Sequence, residues 1–68
     1  MKEFTIIDAT PGTYIAVAKI NATNGKQALE IFKQRFSDVV PYNIHQKGMV
    51  WEMTNTYGSH FYAMDTTK

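Results

Sequence analysis

Two isolated histidines, His45 and His60, are the residues best suited to metal binding or proton transfer in this 68-residue chain, which has no cysteine. Zinc sites use three or four Cys, His or carboxylate ligands at short local spacing, and these histidines have no such neighbours. The G-x-S-x-G turn that presents a nucleophilic serine is also missing. We therefore predict no metal, no cofactor and no catalytic residue, and we expect a protein that is not an enzyme.

Other catalytic residue sets can be assembled from this sequence, but no motif or spacing singles one of them out. A serine, histidine and aspartate set has several candidate members: Ser59 or Ser37, His60, and Asp65 or Asp38. Any chain of this length offers such a set. The six acidic residues are spread along the sequence and provide no preferred pair for acid–base work.

The stretch Asn24-Gly25-Lys26 raises a different question, because a glycine and a lysine at a helix start can hold a phosphate. The phosphate-binding loop G-x-x-x-x-G-K-[ST] has a first glycine and a final hydroxyl, and Ile20 and Gln27 stand at those positions. The simpler interpretation is a helix N-cap. In it Asn24 accepts from first-turn amides and Gln27 reaches back, as in a capping box.

The segment Gly58-Ser59-His60-Phe61-Tyr62 resembles the G-S-H segment of the HicA toxins, small RNA-cleaving proteins of toxin–antitoxin pairs with a double-stranded-RNA-binding-like fold. The resemblance implies that His60 is a catalytic histidine acting on RNA. That family begins and ends with a helix, whereas this chain begins with a predicted hairpin. A related alternative is an RNA binder that stacks bases on Tyr42, Trp51 and Tyr62.

The elements that position these residues follow from hydrophobic periodicity. Strands over 4–7 and 14–20 flank Thr10-Pro11-Gly12-Thr13, which has proline and glycine where a type II turn needs them. An amphipathic helix begins after Asn24 and is closed by residues 37, 38 and 41. It carries one apolar arc: Ala28, Leu29, Ile31, Phe32 and Phe36.

Three further strands are predicted over 42–46, 49–54 and 60–64, separated by turn-forming residues. The sum is a single α+β domain over 1–68 with the order ββαβββ. We expect one mainly antiparallel sheet of four or five strands with the helix across one face. The side bearing Ala16 and Ala18 is the expected helix side, because short side chains permit close approach.

One helix covers one sheet face, yet apolar residues occupy both faces of the predicted strands. Aromatic and methionine side chains are enriched at interface cores, so the leading prediction is a non-enzymatic protein-binding module that acts through an aromatic and methionine sheet face. The predicted binding residues are Trp51, Tyr62, Tyr57, Met49 and Met53. The open alternative is that the sheet curls and buries them.

Composition supports the binding prediction indirectly. The net charge is +1 with alternating signs, the apolar fraction is 44%, and no segment has the length of a membrane span or the apolar core of a signal peptide. We therefore expect a cytoplasmic protein with a protein partner, no membrane association and no strong affinity for nucleic acid. A homodimer would add stability to so short a chain. A phage or mobile-element inhibitor or regulator of a host protein or defence system fits this size.

Overall fold

The computed structural model describes residues 1–36 and 42–67. Within them the elements are β1 (Lys2–Asp8), β2 (Ile15–Ala22), α1 (Gly25–Phe36), β3 (Asn43–Lys47), β4 (Val50–Thr54) and β5 (His60–Asp65). The α+β class and the order ββαβββ are confirmed, and no strand boundary differs from its prediction by more than two residues. The predicted helix closure at residues 37, 38 and 41 lies outside the described residues.

All five strands form one antiparallel sheet in the order β2-β1-β5-β4-β3. β1 is therefore an interior strand between β2 and β5, although it comes first in the chain, and β2 and β3 are the two edges. Helix α1 packs across one side of the sheet, which we call the helix-covered face. Its core residues are Phe4, Ile6, Ile20, Met53 and Ala63 from the sheet, with Ala28, Leu29 and Phe32 from the helix. The opposite side is the helix-free face.

The turn between β1 and β2 is the predicted one. Thr13 N–H donates to the Thr10 carbonyl at 2.7 Å, and Gly12 has φ +89°, as the third position of a type II turn requires. The Asp8 carboxylate accepts from the Thr10 N–H at 3.0 Å and from its hydroxyl at 2.7 Å. These bonds fix the direction in which the chain enters β2.

A β-bulge in β2 corrects one prediction. Ile6 pairs with Ala18 and Ile7 pairs with Ala16, so Val17 is an extra residue opposite β1. The bulge breaks the simple alternation of faces that was assumed for this strand. Ala18 packs against the core beneath the helix, but Ala16 is exposed. The expectation that both alanines lie under the helix is therefore wrong for Ala16.

Helix α1 begins with a capped first turn. The Asn24 side chain accepts a hydrogen bond from the Gln27 N–H at 2.8 Å, which confirms Asn24 as the N-cap. The Gln27 side chain reaches back one residue further than predicted and accepts from the Thr23 N–H at 2.7 Å. The Asn24 side chain thus occupies one of the first-turn donors that a phosphate would otherwise bind.

Gly25 has a packing role at this helix start. A Cβ atom placed on Gly25 would lie 2.7 Å from Cδ1 of Trp51, closer than carbon atoms can approach. The glycine therefore allows the indole to lie against the first turn of the helix. Its presence in the Asn24-Gly25-Lys26 stretch is explained by this contact.

The core is small and closely packed. Ile6, Leu29 and Met53 are its largest fully buried side chains. At its margin the Phe61 ring lies 5.1 Å from the Phe32 ring and 6.1 Å from the Tyr42 ring, centroid to centroid, in tilted geometries that favour aromatic pairs. No helix in the described residues has the length and apolar character needed to cross a membrane.

Candidate functional site

The most unusual side chain on the helix-free face is a buried carboxylate. Strand alternation places Glu52 on this face, between Trp51 and Met53 on the other side. Glu52 is only 4% exposed, although no helix covers it. An acidic side chain buried to this extent requires hydrogen-bond partners or opposite charge nearby.

Two histidines supply those partners. His45 lies directly opposite Glu52 on β3, and its Nε2 is 2.8 Å from Glu52 Oε1. His60 lies diagonally across on β5, and its Nδ1 is 3.2 Å from Glu52 Oε2. We call His45, Glu52 and His60 the His–Glu–His cluster. Each carboxylate oxygen thus holds one imidazole.

A tyrosine and a lysine complete the surroundings of Glu52. Burial raises the pKa of the Glu52 carboxyl, but hydrogen bonds from His60, Tyr62 and His45 lower it more. The charge of Lys47 acts in the same direction, so the pKa lies below its ordinary value of 4.5. The hydrogen bond to Glu52, together with burial, raises the pKa of Tyr62 above its ordinary value of 10.0. Glu52 is therefore ionised and Tyr62 protonated at neutral pH.

The ionised carboxylate fixes the histidine tautomers. A carboxylate only accepts hydrogen bonds, so His45 donates through Nε2–H and His60 through Nδ1–H. The other nitrogen of each ring, Nδ1 of His45 and Nε2 of His60, has no hydrogen-bond partner within residues 1–36 and 42–67. The two side chains are 48% and 36% exposed. In its neutral form each ring thus offers a nitrogen that an incoming molecule can reach.

The cluster is arranged for hydrogen bonding more than for metal binding. Among the described residues, no group of three or more His, Cys, Asp or Glu side chains has an arrangement that could hold a metal ion. In the His–Glu–His cluster the ligand atoms bond to one another at 2.8 and 3.2 Å instead of converging on a common empty point. The chemistry that this geometry allows is proton transfer.

The serine–histidine–aspartate set is not assembled in the part of the chain that the structure describes. Asp65 lies at the far end of β5 from His60, where it contacts Lys2 at 3.6 Å. The Ser59 N–H donates to the Asn55 side chain as part of the loop before β5. Ser37 and Asp38 lie outside the described residues.

The five predicted binding residues do not share one surface. Trp51 and Met53 lie on the helix-covered face, with Met53 fully buried in the core and Trp51 half-buried against it. Only Tyr62 lies on the helix-free face, half-buried beside Glu52. Met49 is 98% exposed in the turn between β3 and β4, and Tyr57 is exposed in the loop between β4 and β5. The expected aromatic and methionine sheet face is therefore not formed by this set.

A different set of exposed apolar residues lies at the β2 side of the sheet. Tyr14, Ile15 and Val17 are all exposed, with Tyr14 the most exposed of them at 77%. We call these three residues the β2 edge patch. Met64, also exposed, adds a further apolar side chain on the helix-free face, two residues along β5 from Tyr62.

The contact between His45 and Glu52 was not predicted from the sequence. The signal for this pairing was the turn between β3 and β4. Gly48 has φ +62° and Met49 does not have a positive φ, which is the pattern of a two-residue type II′ hairpin turn. Such a turn makes Lys47 and Val50 the first pair and so places His45 opposite Glu52. Treating Met49 as a strand residue concealed this register.

Comparison with known proteins gives no relative from which to transfer a role. No protein-family model matches the chain, and neither curated proteins nor solved structures include a significant match. The resemblance to the HicA toxins therefore extends no further than Gly58-Ser59-His60-Phe61-Tyr62. The site has to be interpreted from its own geometry.

Proposed function

We propose that this protein is a small protein-binding module that acts as an inhibitor or regulator of its partner and binds it through the β2 edge patch. The observation that carries the proposal is the accumulation of exposed apolar side chains at the start of one edge strand, in β2 and in the residue directly before it. Tyr14, Ile15 and Val17 lie within four consecutive residues, and all are exposed. Exposed apolar residues that cluster in this way usually mark an interaction site.

The occupant that fits this edge is an extended segment of the partner, added as a further strand beside β2. β2 is eight residues long, and its outer edge has no strand partner in the described residues. The opposite edge strand, β3, has five residues and is mostly polar, a composition that discourages strand addition. Backbone hydrogen bonds would provide affinity, and the apolar side chains would provide specificity.

Charge gives this occupant one further property. Lys19 is the charged residue of β2, it is exposed, and its pairing with Thr5 places it on the helix-free face. A partner segment with an acidic residue opposite Lys19 would gain from this contact, whereas a basic segment would be repelled. A second copy of the chain would bring its own β2, with its own Lys19, to this edge, and it is therefore the less favourable occupant.

The test introduces a charge into the patch. Val17→Lys places a lysine at the bulge, where the side chain is exposed and the residue has no paired residue in β1. Tagged wild-type protein and Val17→Lys are used to capture proteins from nuclease-treated lysate, with Thr56→Lys in the exposed loop between β4 and β5 as the matched control. We expect a protein that is retained by wild type and Thr56→Lys and lost with Val17→Lys.

Two results would overturn the proposal. One is equal retention by all three proteins, which would remove the β2 edge patch from the interface. The other is loss of retention on Met49→Lys or Tyr57→Lys but not on Val17→Lys, which would return the interface to the residues predicted from sequence. Light scattering on the purified protein identifies the remaining occupant, a second copy, by a dimer mass that Val17→Lys abolishes.

An RNA-directed function is the second candidate, and the His–Glu–His cluster favours it. His60, singled out by the HicA resemblance, hydrogen-bonds to a buried carboxylate beside Tyr62. Lys47 lies on the same face, two residues from His45, and could neutralise a phosphate. Fluorescence anisotropy with a single-stranded RNA tests this function. Affinity that is lost in Lys47→Ala supports it, and an absence of binding at low salt rejects it.

A further inference from the structure

The His–Glu–His cluster holds two imidazoles on one carboxylate, an arrangement that stability of the sheet alone does not require. Buried ion pairs are often replaceable by apolar residues without loss of stability, so a cross-strand contact in a small protein does not need a carboxylate held by two imidazoles. Both imidazoles are also oriented by the same carboxylate, at 2.8 and 3.2 Å, and both leave a second nitrogen without a protein partner in the described residues. Two oriented and accessible proton carriers on one surface indicate acid–base work.

We propose that His45 and His60 form an acid–base pair that cleaves RNA by attack of the 2′-hydroxyl on the adjacent phosphodiester, with Glu52 as the positioning residue between them. This proposal rests on the second candidate function and deepens it. Nδ1 of His45 and Nε2 of His60 are the reacting nitrogens. Glu52 touches neither substrate nor proton in transfer and acts through the two rings.

The step needs one neutral and one protonated ring. The neutral imidazole takes the proton of the 2′-hydroxyl as that oxygen forms a bond to phosphorus. The bond from phosphorus to the 5′-oxygen breaks, and the other imidazole donates its proton to this leaving oxygen. The products are a 2′,3′-cyclic phosphate and a free 5′-hydroxyl, and one proton has moved from each donor to each acceptor. The Glu52 carboxylate stabilises whichever ring carries the positive charge.

RNA is the substrate class because it provides what the cluster lacks. No hydroxyl or thiol in the described residues hydrogen-bonds to either ring, so these residues give the two imidazoles no nucleophile to activate, and a substrate that carries its own nucleophile suits the cluster. The 2′-hydroxyl is such a nucleophile, and DNA does not have it. Lys47 is placed to contact the phosphate, and Tyr62 and Tyr14, which lie near enough to influence each other electrostatically, offer aromatic surface for a base.

The experiment uses a DNA oligonucleotide that contains a single ribonucleotide, labelled at both ends, and the full-length protein in EDTA. The same oligonucleotide with a 2′-O-methyl group at that position measures binding without cleavage. The variants are His45→Gln and His60→Gln, because a glutamine amide can still donate to Glu52 and preserve the fold, as circular dichroism would verify. Thr56→Lys, purified in the same way, controls for contaminating nuclease.

We expect wild type and Thr56→Lys to cut at the ribonucleotide and to leave a 2′,3′-cyclic phosphate, identified by mass spectrometry. Each histidine variant should lose about 100-fold or more of this activity, the usual contribution of a general acid or base. The pH–rate profile should be bell-shaped in wild type and lose one limb in each variant. In Glu52→Gln the cleavage rate should fall while the affinity for the 2′-O-methyl oligonucleotide is kept, because both rings lose the carboxylate that orients them.

Three results would overturn the proposal. Binding of the 2′-O-methyl oligonucleotide without cleavage of the ribonucleotide would leave an RNA binder and remove the acid–base pair. Neither binding nor cleavage would remove the RNA-directed function as well. Cleavage that is equal in wild type, His45→Gln and His60→Gln would assign the activity to another site or to a contaminant.

Discussion

Neighbouring residues of β4 serve the two sheet faces in different ways. Trp51 and Met53 are held on the helix-covered face by packing, against Gly25 and within the core. Glu52, between them, is held on the helix-free face by hydrogen bonds from His45 and His60. A packed position tolerates another side chain of similar volume. A position that holds a hydrogen-bonded carboxylate does not tolerate such a replacement, because the partner donors would lose their acceptor. The helix-covered face therefore specifies the fold, and the helix-free face is where chemistry or recognition can be added.

The largest expected effect breaks the helix-covered face. Leu29→Ala removes a fully buried side chain and should cost about 3 to 5 kcal/mol, comparable with the whole stability of a domain this small. We expect a largely unfolded protein by circular dichroism. Met53→Leu, which conserves volume at another fully buried position, should cost less than about 1.5 kcal/mol. A folded Leu29→Ala protein with an unchanged urea midpoint would contradict this account of the core.

The next effect is on the helix-free face. Glu52→Gln removes a charged acceptor of two imidazole hydrogen bonds and should cost about 1 to 3 kcal/mol by urea unfolding. The pH dependence gives the sharper test. Because the pKa of Glu52 is lower in the folded protein than its ordinary value of 4.5, the unfolded chain binds this proton more strongly.

The sign of the pH effect follows from that difference. Stabilisation by the Glu52 carboxylate is complete above about pH 4.5 and is lost as the pH falls through the lower pKa of the folded protein. Wild-type stability should therefore decline more steeply below pH 4.5 than that of Glu52→Gln. Parallel curves for the two proteins would show that Glu52 is not held as an ion.

A smaller effect is expected for Gly25→Ala, where helix propensity and side-chain packing have opposite effects on stability. Alanine is favoured over glycine in a helix by about 1 kcal/mol, so propensity alone predicts that Gly25→Ala stabilises the protein. The added Cβ would lie 2.7 Å from Trp51 Cδ1, and overpacking of this kind costs about 1 to 3 kcal/mol. We expect net destabilisation, measured by thermal unfolding. In a Trp51→Ala background the same substitution should become stabilising.

The smallest effect concerns the start of the helix that covers the core. Asn24→Ala removes the acceptor for the Gln27 N–H and should cost about 1 kcal/mol. Asn24→Asp keeps an acceptor and should restore the stability of wild type. Hydrogen exchange should show the loss in the first turn of α1 and leave the His–Glu–His cluster unchanged. Equal loss on both sheet faces would indicate that they are not separable.

Local features of this fold were predictable from the sequence. The turn at Pro11 and Gly12 and the cap at Asn24 depend on residues a few positions apart, and both are confirmed. The side of the sheet that the helix covers was not predictable, because the bulge at Val17 changes the alternation within β2. The prediction of Trp51 and Met53 as binding residues places them at an exposed surface, whereas they pack on the helix-covered face.

The candidate site was predictable only in part. The His45 and Glu52 pair follows from the two-residue turn at Gly48 and Met49, and could have been derived. The addition of His60 could not, because the loop between β4 and β5 permits several registers. The position of β5 between β4 and β1 depends on the sheet order, which no local pattern specifies.

The interior position of β1, between β2 and β5, has a kinetic consequence. β1 is made early and pairs with β2 at once, but its other partner, β5, lies at the opposite end of the described chain. Closing so long a loop is entropically costly, and non-local pairing of this kind slows folding. During synthesis one edge of β1 stays unpaired until β5 has emerged from the ribosome. We therefore expect the β1–β2 hairpin and α1 to form first. The pairing of β1 with β5, which completes the interior of the sheet, should form last.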